Sequence, residues 1–156
     1  FFLLRKSDSH LDFDLDLAKQ QSSENPVFYV QYAHARIASI FEQAGRNGIA
    51  IDAREAVPLE RLALAEELEL IRRMIQFDDV LEDSVRELEP HRLAFYLLEF
   101  AGEFHRYYNR HRVISEDAEL SRARLLLLEN VQKTIRRGLD ILGVGAPIKM
   151  AAREEV

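Results

Sequence analysis

The sequence predicts an all-α protein, an irregular bundle of about five helices preceded by a short extended segment. Three observations predict it. Apolar residues recur at three- and four-residue spacing through most of the chain, which gathers them on one face of a helix. Only 6 Gly and 4 Pro occur in 156 residues, and long stretches hold neither, so little interrupts those runs. Several of these Pro and Gly stand where helices begin and end, Pro inside the start and Gly past the stop. At 47% hydrophobic residues the chain can build one sizeable core, and we expect one globular domain.

The elements follow in order. Residues 10–17 alternate with period two, Leu11, Phe13, Leu15 and Leu17 against Asp12, Asp14 and Asp16, the pattern of a half-buried extended segment. Its Asp-x-Asp-x-Asp spacing is that of a calcium loop. However, Leu17 stands where that loop's sharp turn needs Gly, and Ser23 where its bidentate Glu belongs, so we read a solvated strand face. Asn25 can cap a first helix with Pro26 at its first position. Val27, Val30, Ala33, Ile37, Ile40, Phe41 and Ala44 form its stripe, and Gly45 to Gly48 end it. Gln31, His34, Arg36 and, partly, Tyr32 fall off that stripe.

Pro58 opens a second helix with Leu64, Leu68, Ile71 and Ile75 as the buried stripe and Glu60, Glu66, Glu67 and Glu69 making the other face acidic. A short third helix is predicted over 78–88 on Val80, Leu81, Val85 and Leu88. Pro90 opens a fourth, to Asn109, with Leu93, Leu97, Phe100, Ala101 and Phe104 inward. The fifth runs from Ser115 to Leu142 on Leu120, Leu127, Leu128, Val131, Ile135 and Leu142, with Gly143 as its stop.

Composition excludes several functions. Zero cysteines leaves no disulfide, thiol nucleophile or Cys-type zinc site and agrees with a reducing cytoplasm. No apolar run approaches the roughly 20 residues of a membrane span. The five histidines His10, His34, His91, His105 and His111 are scattered, with no spacing that suits a metal. No Ser sits in a Gly-x-Ser-x-Gly elbow and no Gly-rich loop precedes a helix, so neither hydrolase nor ATP chemistry is encoded. The opening Phe1-Phe2-Leu3-Leu4, followed by Arg5 and Lys6, reads as the continuation of another element, which predicts an excised fragment.

The net charge of -6 argues against nucleic acid at first sight, yet the basic excess is concentrated in residues 90–150. Within it His105-Arg106-Tyr107-Tyr108-Asn109-Arg110-His111-Arg112 interleaves aromatics, arginines and an amide. Tyrosine rings stack on unstacked bases, arginine meets phosphate, and asparagine reads a base edge, the equipment that single-stranded RNA loops require. Taken alone, the same stretch could be one core tyrosine and ordinary charges at a helix C-terminus.

Three blocks carry a resemblance. Ser7-Asp8-Ser9-His10 through Ala18, running into Glu24-Asn25-Pro26-Val27-Phe28-Tyr29-Val30-Gln31-Tyr32-Ala33-His34-Ala35-Arg36, resembles the junction between the catalytic and anticodon-binding domains of bacterial-type, class I arginyl-tRNA synthetases. Glu89-Pro90-His91-Arg92-Leu93 through Phe104-His105-Arg106-Tyr107-Tyr108-Asn109 is similar to that family's central helix. Arg122-Ala123-Arg124 through Leu142-Gly143, then Ala146-Pro147 to Met150, is similar to its last helix and closing loop. Ile148-Lys149 departs from the acidic-basic pair common before Met150, and the tail Ala151 to Val156 extends past the usual end.

The resemblance implies a division into residues 1–24, a junction segment from a catalytic domain, and residues 25–156, a helical tRNA anticodon-binding domain. It implies a cytoplasmic parent enzyme that attaches arginine to tRNA(Arg) using ATP with magnesium. The class I signature sequences are absent from this chain, so we expect no cofactor, metal or catalytic residue in it. The implied partners are the tRNA(Arg) anticodon stem-loop and the enzyme's own catalytic domain, with no membrane and no DNA. The residues carried over as tRNA-binding are Tyr32 and Arg36 in the first helix, Tyr108 and Asn109 after the central one, and Met150 at the end. The rival reading is a helical module that binds protein without RNA specificity. One contiguous basic surface of Arg106, Arg110, Arg112, Arg122 and Arg124 beside tyrosines would favour RNA, and dispersed charges the scaffold.

Overall fold

Four α-helices and one 3-10 turn make up the described residues, 24–49 and 57–150, of the computed structural model. The helices are α1 (Pro26–Arg46), α2 (Ala65–Arg86), α3 (His91–Arg110) and α4 (Ala118–Ile141), with the turn at Leu59–Arg61 before α2. No strand occurs among the described residues, in keeping with the all-helical expectation. The period-two stretch 10–17, Phe1 to Leu4 and the tail Ala151 to Val156 lie outside the described residues.

The cap expected of Asn25 forms, whereas Pro58 opens only the 3-10 turn, α2 starting at Ala65, and α4 starts after Asp117 rather than at Ser115. The Asn25 side chain accepts from the Val27 N–H at 3.0 Å, with Pro26 at the first helical position, so a donor with no partner inside the helix is satisfied. Asp117 caps α4 through the Leu120 N–H at 3.0 Å, and its other carboxylate oxygen meets Arg61, tying the 3-10 turn to α4. Gly48 and Gly143 follow α1 and α4 at φ +71 and +69, a left-handed conformation that glycine adopts without strain. Leu88 takes φ 55 in the corresponding place after α2, an uncommon one for a residue with a Cβ.

α3 and α4 form the centre: each packs against the other and against both α1 and α2, while α1 and α2 do not meet. Tyr107, Phe100, Phe104, Leu93 and Leu97 of α3 are fully buried with Ile37 of α1, Leu70 of α2, and Leu125, Leu128, Ile135 and Leu139 of α4. Gly138 lies so close to α3 that a Cβ there would stand 2.6 Å from Leu97 Cδ2.

Two expectations about the middle of the chain are corrected. The second and third predicted helices are one, α2, because nothing from Gln76 to Asp79 breaks the backbone ladder and Phe77 is buried at that point. Its buried stripe is also rotated. Glu67, Leu70, Phe77 and Ser84 are buried, with Met74, Val80 and Leu81 packed beside them, whereas Leu68 is 40% and Ile75 71% exposed. Val85 and Leu88 are exposed as well. This helix carries two apolar rows at helical spacing, and packing selects the one headed by a glutamate. His34 is the third correction. It is 3% exposed, because its Nδ1 donates to the Pro147 carbonyl at 2.9 Å and its own carbonyl accepts from Gln132 at 3.1 Å.

Candidate nucleic-acid interface

Helical spacing puts Phe28, Tyr29, Tyr32 and Arg36 along one edge of α1 and His105, Tyr108 and Asn109 at the end of α3. Packing of α1 on α3 brings these edges together. His105 Nε2 donates to the Tyr29 carbonyl at 3.4 Å, and its ring lies 4.6 Å from that of Tyr29 and 5.9 Å from that of Tyr32. Phe28 stacks on Tyr32 at 6.2 Å with the rings 8° from parallel, and Tyr108 leans on buried Phe104 at 6.0 Å.

Arg36 joins the two edges. Its guanidinium stands 4.6 Å from the Tyr32 ring centroid and 4.8 Å from that of Tyr108, and Nη2 donates to the Tyr32 hydroxyl at 2.8 Å. The negative face of each ring attracts the cation, and no carboxylate pairs with it among the described residues. His105 adds no positive charge at neutral pH, because burial first and Arg36 second push its imidazole down to about 4, against the hydrogen bond to Tyr29. The result is a half-buried aromatic shelf with one cation held between two tyrosines.

Of the residues expected to bind RNA, Tyr32, Arg36 and Tyr108 are therefore in one cluster. Asn109 follows Tyr108 and is exposed at its rim. Met150 is not part of the cluster's contacts. It is half-buried at the end of a loop held along another edge of α1, where Gln31 Nε2 donates to the Gly145 carbonyl at 2.7 Å, His34 binds Pro147, and Lys149 lies 3.5 Å from Glu42.

Sequence reading passed over Phe28 and Tyr29 as parts of the site, and placed His105 in the aromatic and basic stretch without assigning it a role. Their signal was the aromatic recurrence at 28, 29 and 32 and at 105 and 108, which matches helical spacing but cannot say which rings meet. Tyr107, by contrast, is wholly core, and burial raises its hydroxyl pKa. The arginines divide as well. Arg106 is exposed beside Glu103, Arg110 reaches Glu66 at 3.3 Å, and Arg112 makes no ion pair among the described residues. Arg122 is half-buried and Arg124 is 9% exposed, so of the five arginines expected on one basic surface three, Arg106, Arg110 and Arg112, are exposed, and the first two of these face a carboxylate.

Elsewhere a groove of about 510 Å³ between α2 and α3 is lined by Arg73, Asp83, Glu89, Arg92, Phe95 and Glu99, among others. Its cations pair internally, Arg73 with Glu99 at 2.9 Å and Arg92 with Glu89 at 2.5 Å. No three His, Asp or Glu stand together in a way that could hold a metal ion, and no helix is long and apolar enough to cross a membrane, among the described residues.

A helical bundle whose chemically distinctive surface is stacking rings, a guanidinium and an amide presents the side chains that single-stranded nucleic-acid sites use. The chain belongs to the DALR anticodon binding domain family, which it matches over residues 30–150. It is 56% identical over 150 residues to the arginine–tRNA ligase of Geotalea uraniireducens and 55% identical to that of Geobacter metallireducens, covering 96% of this chain in each case. It spans 27% of the length of those relatives. The solved arginyl-tRNA synthetase of Thermus thermophilus superposes with a TM-score of 0.78 at 30% identity, over 94% of this chain and 25% of that one.

Proposed function

We propose that this chain is the anticodon-arm recognition part of an arginine–tRNA ligase, with the shelf of Tyr32, Arg36, Tyr108 and Asn109 as its RNA-contacting surface and Met150 as a contact at the edge. The observation that carries the reading is the guanidinium held between two tyrosine rings at the junction of α1 and α3, within a chain of this family. Tyr32 and Tyr108 offer faces for splayed bases, Arg36 and Arg112 offer cations to phosphate, and Asn109 can read a base edge.

On this reading, residues 1–24 are a junction segment and residues 25–156 the recognition domain. The parent enzyme works in the cytoplasm and attaches arginine to tRNA(Arg). ATP and magnesium belong to the remaining length of the enzyme, and its own catalytic domain is the second partner of this bundle. DNA and membranes are not partners.

The test is titration of a fluorescent tRNA(Arg) anticodon stem-loop, and of one with altered anticodon bases, at several salt concentrations. The cognate loop should bind more tightly, and Tyr108→Ala should weaken it by about 1–3 kcal/mol, the usual worth of one base on one aromatic ring. Equal and equally salt-sensitive binding of both loops would leave only backbone attraction and refute anticodon readout by this chain.

A further inference from the structure

The end of α3 that presents Tyr108 and Asn109 is fastened from beneath by an ion pair that takes no part in the RNA contacts proposed above. Glu67, in the first turn of α2, is 0% exposed. One of its carboxylate oxygens accepts from the Leu64 N–H at 3.0 Å. This is one half of a capping box, since a leucine has no side-chain acceptor to supply the other. The second oxygen accepts from Arg124 Nε at 2.8 Å and from the Tyr107 hydroxyl at 3.3 Å. Arg124, from α4, turns its Nη1 to the Arg112 carbonyl at 2.8 Å. Just outside, the half-buried Glu66 meets Arg110 at 3.3 Å and His111 at 3.5 Å.

Every α3-side partner of these two glutamates and of Arg124 is therefore residue 107, 110, 111 or 112, the residues on either side of Tyr108 and Asn109. Stability alone is a poor reason for such a pair. Exchange of a buried ion pair for apolar residues of similar volume is often neutral or stabilising, because two charges must be stripped of water. What it does supply is direction. The arginine fork reaches a carboxylate with one nitrogen and a backbone carbonyl with another, both in one plane, so the height of the chain at Arg112 is set against the start of α2.

We propose that Glu67 and Arg124 are positioning residues for anticodon recognition: they hold the Tyr108–Asn109 end of α3 in register with Arg36, and discrimination between anticodons depends on them although neither touches RNA. This rests on the recognition reading above. Arg124→Lys would keep the charge but cannot bridge both acceptors, and Glu67→Gln would keep the shape but weaken the charge-assisted bond.

The experiment uses the full chain as wild type, as Glu67→Met with Arg124→Met, as Arg124→Lys and as Glu67→Gln. Three quantities are read: melting temperature, the ratio of dissociation constants for cognate and altered anticodon loops, and amide hydrogen exchange of residues 107–112. The double variant should fold but melt below wild type, because the Leu64 N–H, the Tyr107 hydroxyl and the Arg112 carbonyl lose these partners. Its discrimination ratio should fall by about tenfold, the scale of weakening one base contact on an aromatic ring, and exchange at residues 108–112 should accelerate. A folded double variant that discriminates as well as wild type overturns the proposal, whatever its melting temperature. If the double variant fails to fold, Glu67→Gln and Arg124→Lys decide: an unchanged ratio in both overturns it, and a reduced ratio at near-native melting temperature supports it. Should wild type itself not discriminate, the recognition reading fails and takes this proposal with it. Faster exchange at 108–112 in Glu67→Gln would then show that only the RNA reading had failed, while unchanged exchange would show that the latch was absent too.

Discussion

His105 makes the stability of the shelf sensitive to acid, and the size of the effect can be worked out. Its imidazole sits 8% exposed between Tyr29, Tyr32 and Phe104, and its pKa moves from 6.5 to about 4, through burial first and then Arg36. The folded form binds its proton less tightly than the unfolded chain, so between those values the unfolded state holds more protons and stability rises with pH. The contribution is complete above the unfolded value and is lost as pH falls from there towards the folded one. With these two values the linkage relation gives a loss of about 2 kcal/mol between pH 7.5 and 5.0, out of about 3 kcal/mol in the acid limit. Other groups titrate in the same range, so the assay is a difference: urea unfolding of wild type and His105→Gln at a series of pH values. Glutamine can still donate to the Tyr29 carbonyl but takes up no proton. Stability of the variant relative to wild type should improve by about 2 kcal/mol from pH 7.5 to 5.0. A gap that stays constant across that range would mean that the imidazole is not held neutral by its surroundings, and the electrostatic account of the shelf would be wrong.

Two further outcomes are expected. Gly138→Ala gains about 1 kcal/mol of helix preference, but its Cβ would meet Leu97 Cδ2, Cδ1 and Cγ at 2.6, 3.0 and 3.1 Å. Leu97 is fully buried, so overpacking at about 1–3 kcal/mol outweighs the gain. The urea midpoint should fall, and the loss should shrink when Leu97→Ala is added; a rise in the midpoint would contradict the close approach of α3 and α4. Arg36→Lys keeps the charge but gives up the planar group between Tyr32 and Tyr108. Affinity for the anticodon loop should drop by a factor corresponding to about 1 kcal/mol while the salt slope stays the same; an unchanged affinity with that unchanged slope would make Arg36 a phosphate contact only, with no use for its planar group between the rings.

What could be read in the sequence follows from how local each signal is. Asn25, Pro26, Gly48 and Gly143 act on backbone groups within a few residues of themselves, so both ends of α1 and the stop of α4 are legible without knowing the fold. The stripes of α1, α3 and α4 were legible because each of those helices has one dominant apolar row. Tyr32, Arg36 and Tyr108 could be singled out from their chemistry and from the family resemblance, and Asn109 beside them.

The rest needed neighbours distant in the chain. α2 offers two apolar rows, and the one that is buried is settled by Arg124, which lies 57 positions beyond Glu67 and turns that acidic residue into a core partner. The same contact removes Arg124 from the basic surface on which its sequence position seemed to place it. His34 looked like a surface residue until the loop after α4 delivered the Pro147 carbonyl to it. The sequence by itself determined that this chain forms helices, where most of them end, and which residue types could meet RNA. Only the tertiary structure decided which of two similar faces is inside and which charges remain outside, because burial of a charged or polar group is tolerated only where a distant partner completes its hydrogen bonds.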